Sequence, residues 1–367
     1  MLWIVSPGFL IGWLCIALSC DIRTLCIGRF ITGIISCISF TVVGLYLPEI
    51  SSTAARGFIT CFGSTGFAIG TLSSFILGTF VDYRGLAFIN IVFVMVMFIC
   101  LTCIPESPLW LVGKERLYTA LQSLKWLRRH SKSIDNEIIE LLTQTRENLD
   151  IQSLFSNINK KSVLMPLFIC LCLQFNQQFC AVNAVTFYSS DIFLETGLDI
   201  NPDICGIILI LVQSAFLILF AFKIDIWGRK FLFLLSNVTM FFSLVGLGTF
   251  YLLEFYINGS LPWLPLVCLC TFEVGFSSGI AILPSTLTGE VLPLELRSFC
   301  CGICMGFNSL CLFLVTNFFP IMGETFGKGG TFFFFSVNCF LCSFLYLWLP
   351  ETKGKSLQEI QAHFLKD

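Results

Sequence analysis

The chain is 367 residues long, 56% hydrophobic and only 12% charged, with a formal net charge of −2. An ordinary soluble domain carries about 25% charged residues, and a soluble core of this length would leave large apolar patches in water. Collagen-like, disordered and small disulfide-scaffold classes are excluded as well, and no basic field draws the chain to nucleic acid. The composition is that of an integral membrane protein built from helices.

A helix needs roughly 20 apolar residues to cross a bilayer. Taken in chain order, the runs that qualify centre on Trp13, Ser36, Ala68, Val94, Leu173, Val212, Leu244, Leu269, Leu310 and Phe340. The reading is therefore about ten spans. Met1 has no charged segment or small-residue cleavage site after it, so the start does not read as a signal peptide. If residue 1 is cytoplasmic, 17 Lys and Arg fall in inside segments and only Arg23, Arg29, Arg84 and Lys328 fall outside. The excess of basic residues inside predicts this orientation, with both termini cytoplasmic. The sequon at Asn258 then faces outward and is a glycosylation candidate.

Between the fourth and fifth runs lies the one polar stretch. Leu117, Leu121, Leu124 and Leu127 recur at helical spacing among Lys and Arg, and Ile134, Ile138 and Leu141 do so among acids. These predict short amphipathic helices at the cytoplasmic face. The domain expectation is a four-span bundle over 1–107, a linker over 108–162, a six-span bundle over 163–349 and a tail over 350–367. Most of the 19 cysteines stand singly in apolar runs, as small hydrophobes rather than disulfide partners or zinc ligands. The two histidines, His130 and His363, lie in polar segments. Neither a catalytic cluster nor a metal or cofactor site is expected.

A duplication organises the chain. Glu49 is followed seven residues later by Arg56, and Glu290 by Arg297; Pro105-Glu106-Ser107 closes the first set of spans and Pro350-Glu351-Thr352 the second. The offsets between copies, 241 and 245 residues, are nearly constant. Two parallel halves joined by a cytoplasmic loop form a repeat of the kind found in transporters. Asp225 through Lys230 follows the second span of the second half, and its counterpart would fall upstream of Met1. The expectation is a first half short of two helices.

These residues carry a resemblance. Gly28-Arg29, Glu49 to Arg56-Gly57, Pro105 through Leu111, Gln177-Gln178, Asp225 to Gly228-Arg229-Lys230 and Pro350 through Gly354 resemble the sugar porter family of the major facilitator superfamily. Gly289 through Pro293, and Phe307-Asn308 through Thr316, resemble its insect-type trehalose and hexose transporters. The implied fold class is all-α and membrane-integral: a major facilitator fold lacking its first two helices, in a 4 + 6 arrangement.

From composition alone, the span around Leu173 is unusual for lipid. It holds Gln174, Asn176, Gln177, Gln178, Asn183 and Tyr188. Read as one helix at 100° per residue, Gln177 shares a face with Tyr188, and Asn176 with Asn183. Such amides serve either as glue between helices or as neutral donors and acceptors for a polyol. The resemblance selects the second role. It implies that Gln177, Gln178, Asn183, Gln213 and Asn308 hydrogen-bond sugar hydroxyls, with Tyr188 at an outer gate. It also implies that Glu49, Arg56, Glu106, Arg229, Glu290, Arg297 and Glu351 form a cytoplasmic gate. The chain departs from the family pattern at Ala181, where a Gly is usual, at Ala281 through Ser285, where Gly-Pro-Ile-Pro-Trp is usual, and at Ser309, where a Trp is usual. Glu273, near the middle of its span, has no basic partner in the sequence around it.

The resulting expectation is facilitative transport of trehalose or a hexose by alternating access, with no enzymatic step. The partners would be a small sugar and the lipid bilayer, and the setting the plasma membrane. Proton coupling stays open at this point. The rival reading is a transport-inactive, truncated membrane protein with a binding or regulatory role, associating with full-length porters.

Overall fold

The computed structural model describes residues 2–51, 56–128, 138–139, 142, 161–194, 196, 200–257, 261–292 and 296–349. All regular structure among them is helical. The first helices are α1 (Leu2–Ala17), α2 (Ile22–Ile50), α3 (Arg56–Gly78), α4 (Tyr83–Thr102), α5 (Pro108–Gly113) and α6 (Leu117–Arg128). After the linker come α7 (Lys161–Phe179), α8 (Val182–Phe187), α9 (Ser189–Leu194), α10 (Pro202–Trp227) and α11 (Arg229–Ile257). The last are α12 (Leu264–Ser278), α13 (Leu283–Val291) and α14 (Arg297–Ser343), followed by a 3-10 turn over Phe344–Leu347. Seven helical segments are long and apolar enough to cross a membrane, and Ile4–Ala17 and Thr65–Gly78 are shorter apolar helices. In hydrocarbon, a helix is the element that satisfies its own backbone, which is why apolar runs of this length fold so. The last segment, Phe299–Leu347, holds two of the expected span centres, and its helix is interrupted at Gly327 (φ 72°, ψ 162°).

The chain forms two compact units, Met1–Thr60 with Phe80–Lys160 and Leu294–Ser298, and Cys61–Thr79 with Lys161–Pro293 and Phe299–Asp367. In the first, α1 packs on both α2 and α4. The approach to α2 is possible because of glycine: a Cβ on Gly28 would lie 2.9 Å from the Gly12 carbonyl oxygen and 2.8 Å from an Ile16 side-chain carbon. The expected amphipathic helix appears as α6, which buries Ala120 and Leu124 and packs on α5. Ile138 and Leu142 cover the Leu111, Val112 and Ala120 cluster beside it.

The second unit has the larger core. It includes Leu173, Phe233, Met240, Leu244, Leu269, Phe272, Phe332 and Phe335, with α12 packed along both α10 and α11. Some of the abundant phenylalanine is used here: Phe319 stacks on Tyr188 at 5.5 Å and lies 6.2 Å from Phe335. The described cysteines are all free thiols. No group of three His, Cys, Asp or Glu able to hold a metal occurs among the described residues.

Candidate functional site

The site is built where two spans of the second unit break. Helix α7 ends at Phe179, and Ala181 takes the left-handed conformation (φ 72°, ψ 13°) before α8 begins. An L-residue there costs roughly 1–2 kcal/mol, and Ala181 bears this cost fully buried. The second break lies between α12 and α13. Gly279 (φ −152°, ψ −64°) caps α12, and Pro284 sits in the first turn of α13, where a missing N–H does no harm. A Cβ on Gly279 would fall 2.5 Å from the Leu232 carbonyl oxygen, so the residue is needed for close backbone approach to α11.

Five carboxamides join these breaks to α14. Asn183 Nδ2 donates to Gln178 Oε1, and Gln178 Nε2 donates to Asn308 Oδ1 at 2.9 Å. Asn308 Nδ2 donates to Gln174 Oε1 at 2.8 Å and to Gln177 Oε1 at 3.0 Å. Gln177 Nε2 then donates to the Ile280 carbonyl at 3.1 Å, satisfying a backbone oxygen freed by the second break. Gln174 Nε2 is buried without a hydrogen-bond partner among the described residues. The group is neutral and rich in both donors and acceptors, with Gln174 and Gln178 buried and Gln177, Asn183 and Asn308 half-buried. Those are the properties that bind a polyhydroxylated, uncharged solute.

Four of the expected sugar contacts, Gln177, Gln178, Asn183 and Asn308, are thus brought into one network. Gln213 is not in it through its side chain: its backbone carbonyl accepts from Ser277 Oγ at 3.0 Å. Tyr188 stands further along, with its hydroxyl donating to the Thr316 carbonyl at 3.3 Å and its ring on Phe319. It lines a cavity of about 280 Å³ with Asp191, Tyr251, Phe319 and Phe332. The continuous-helix faces are corrected by the structure. Asn176 and Asn183 do not act together, because Asn176 Nδ2 donates to Asn237 Oδ1 on α11 at 3.0 Å while Asn183 folds back on Gln178. The left-handed residue resets the helical phase between them. Gln174 and Asn237 are contributors that the sequence reading did not place in the site. A buried amide in the middle of an apolar helix is the signal that marks both.

The cytoplasmic candidates divide by unit. In the first, the Ser107 hydroxyl donates to Glu49 Oε2 and also caps α5 at the Trp110 N–H. Tyr46 donates to the Pro105 carbonyl at 2.6 Å, and Ser123 to the Glu106 carbonyl at 2.6 Å. Partial burial, with the Glu49 carboxylate adding to it, lifts the Tyr46 phenol above its ordinary value and keeps it a donor. The Glu106 side chain is exposed. In the second unit Arg229 is buried at the start of α11, and Lys230 lies over the Tyr346 ring at 5.2 Å. The side chains of Arg56, Glu290 and Arg297, and all of Asn258 and Glu351, lie outside what is described.

Helices of span length and apolar composition mark the class, a multi-pass membrane protein, and its fold is that of solved major facilitator proteins. The proton:xylose symporter XylE, solved with 6-bromo-6-deoxy-D-glucose, superposes with a TM-score of 0.83 at 19% identity, covering 99% of this chain and 82% of that one. The inward-open xylose transporter XylE from E. coli gives a TM-score of 0.76 at 19% identity, with 99% and 82% covered. The family model described as "Sugar (and other) transporter" matches residues 1–364. Facilitated trehalose transporters Tret1 from Polypedilum vanderplanki and Bombyx mori are each 34% identical, over 96% of this chain and 71% of theirs. The chain belongs to the sugar transporter family, whose members move solutes and are not enzymes.

Proposed function

We propose that the protein carries trehalose or a hexose across the plasma membrane by facilitative alternating access. The observation that carries this reading is the closed set of amides on Gln174, Gln177, Gln178, Asn183 and Asn308, which offers a sugar many neutral hydrogen bonds in place of those the amides make to one another. Exchange of one hydrogen-bonded set for another leaves few groups unpaired, so binding and release both stay accessible. Tyr188 and Gln213 serve the same path, Tyr188 at its outer mouth. The 34% identity to trehalose transporters supports the choice of sugar.

The span arrangement that goes with this function is 4 + 6, with both termini cytoplasmic and Asn258 outside. It divides the chain into bundles over 1–107 and 163–349, a linker over 108–162 and a tail. The ten apolar centres fall in nine described helices, and the Arg297–Ser343 helix that holds both Leu310 and Phe340 is interrupted between them at Gly327, which supports reading it as two spans. Glu49, Arg56 and Glu106 at the first bundle, and Arg229, Glu290, Arg297 and Glu351 at the second, act as charge pairs biasing one of two rocking states.

Uptake of labelled trehalose and glucose into vesicles holding the purified chain tests the proposal. Saturable uptake is expected, with Gln178→Ala lowering it at least roughly tenfold, as for a site built to bond a hydroxyl. Uptake in Gln178→Ala equal to wild type would overturn the site assignment. Sugar binding without any uptake by the folded chain would favour the transport-inactive reading instead.

A further inference from the structure

A cluster of thiols lies on the same two helices as the amides and takes no part in their network. Cys170 of α7 and Cys304 of α14 are fully buried, and their thiols are hydrogen-bonded to each other. The register of the helices accounts for the pair. Gln174 follows Cys170 by four residues, Asn308 follows Cys304 by four, and Asn308 Nδ2 donates to Gln174 Oε1 at 2.8 Å. Residues four apart share a helix face, so the seam that joins the amides also joins the thiols one turn earlier. Cys301, in the second turn of α14, lies near Cys170 as well, and it is half-buried where the pair is sealed. A thiol enclosed in apolar surroundings is inert by itself, whereas reactive thiols are partly exposed. Here a partly exposed thiol and a buried pair are contiguous.

We propose that Cys170, Cys301 and Cys304 form an oxidation site at which a disulfide joins α7 to α14 and switches off sugar exchange at the amides. The oxidant is a hydroperoxide, with hydrogen peroxide the simplest. The Cys301 sulfur attacks one peroxide oxygen, the O–O bond breaks, and the departing oxygen takes up the thiol proton as water, leaving a sulfenic acid. The Cys170 sulfur then attacks the Cys301 sulfur, and a second water leaves with the Cys170 proton. Two thiols and one peroxide have become one disulfide and two waters. Attack by Cys304 on the Cys170 sulfur moves the bond to the hydrogen-bonded pair, and Cys301 leaves with the Cys304 proton as a thiol again.

The consequence for the site follows from the same seam. A disulfide holds two Cα atoms about 4.4–6.8 Å apart, and this one would do so a single turn from Gln174 and Asn308. A sugar that takes over the hydrogen bonds between α7 and α14 must part the two helices by the breadth of a hydroxyl, and the disulfide keeps them closed. The switch therefore rests on the sugar-binding reading above, whereas formation of the bond does not.

The test treats the full chain in vesicles with hydrogen peroxide and maps its peptides by mass spectrometry without reduction, for wild type, Cys170→Ala and Cys301→Ala. Cys170→Ser, closer in volume, serves beside Cys170→Ala as a control that cannot form the link. A peptide pair joining α7 to α14 is expected in wild type, absent from both Cys170 variants and slower to form in Cys301→Ala. Affinity of oxidised wild type for trehalose or glucose should fall roughly tenfold, within the usual range for coupled sites, and return with dithiothreitol. Peroxide should leave the affinity of the Cys170 variants unchanged. No link between α7 and α14 in the oxidised, folded wild type would overturn the proposal, and a link that leaves sugar affinity unchanged would overturn the switch. A link that forms at the wild-type rate in Cys301→Ala would overturn entry through that thiol. If the link forms but the reduced chain binds neither sugar, the sugar-binding reading and the switch both fail while the oxidation site stands.

Discussion

The two units solve the same problem with different chemistry. At the α2–α5 corner of the first unit, polar groups meet at helix ends, and there a carboxylate is tolerated: Glu49 takes the Ser107 hydroxyl, while Tyr46 and Ser123 satisfy loop carbonyls. In the middle of the second unit's spans, amides bond to amides and to the carbonyls of broken helices. Water reaches a helix end and screens a charge there, whereas an enclosed span favours groups that are neutral and can be fully paired. Position along the helix therefore separates a charged corner from an uncharged amide network.

The sharpest way to break that comparison is Asn308→Ala. It strands Gln178 Nε2, Gln174 Oε1 and Gln177 Oε1 at once, so a loss of about 3 kcal/mol is expected, read by thermal unfolding in detergent. A loss no larger than that at the first-unit corner would refute the claim that the amides act as one buried network. Next comes Gly279→Ala, where the new Cβ meets the Leu232 carbonyl oxygen and about 2 kcal/mol should be lost by the same measurement. Ser107→Ala removes a cap and a partner of the exposed Glu49; about 1 kcal/mol is expected, with sugar binding unchanged. The smallest effect is a gain. Ala181→Gly relieves the left-handed alanine but adds unfolded-state freedom, so about 0.5 kcal/mol of stabilisation should remain, visible as a slightly higher Tm.

Much of the site was legible because its residues are anomalous. Gln177, Gln178, Asn183 and Asn308 stand out as amides in apolar spans, and the geometry brings their side chains together. Gln213 looked equivalent, yet its side chain stays outside the network. Asn176 looked like a companion of Asn183 and is bonded to Asn237 instead. The second difference comes from helix phase. On an unbroken helix Gln178 and Asn183 would be about 140° apart; one left-handed residue turns them toward each other. Nothing in the local composition marks Ala181 for that conformation, because the glycine that would announce it is absent.

The sequence by itself determined that this is a membrane-embedded helical protein, since apolar runs of span length in hydrocarbon can satisfy their backbones only as helices. It also determined which spans carry amides, and it placed a lone acid, Glu273, among apolar neighbours. Only the tertiary structure decided which amides pair and which carbonyls the breaks expose. It also decided that Glu273 is buried, with no hydrogen-bond partner for its Oε2 among the described residues. Those outcomes depend on contacts between residues more than a hundred positions apart, such as Gln178 with Asn308, which no local pattern encodes.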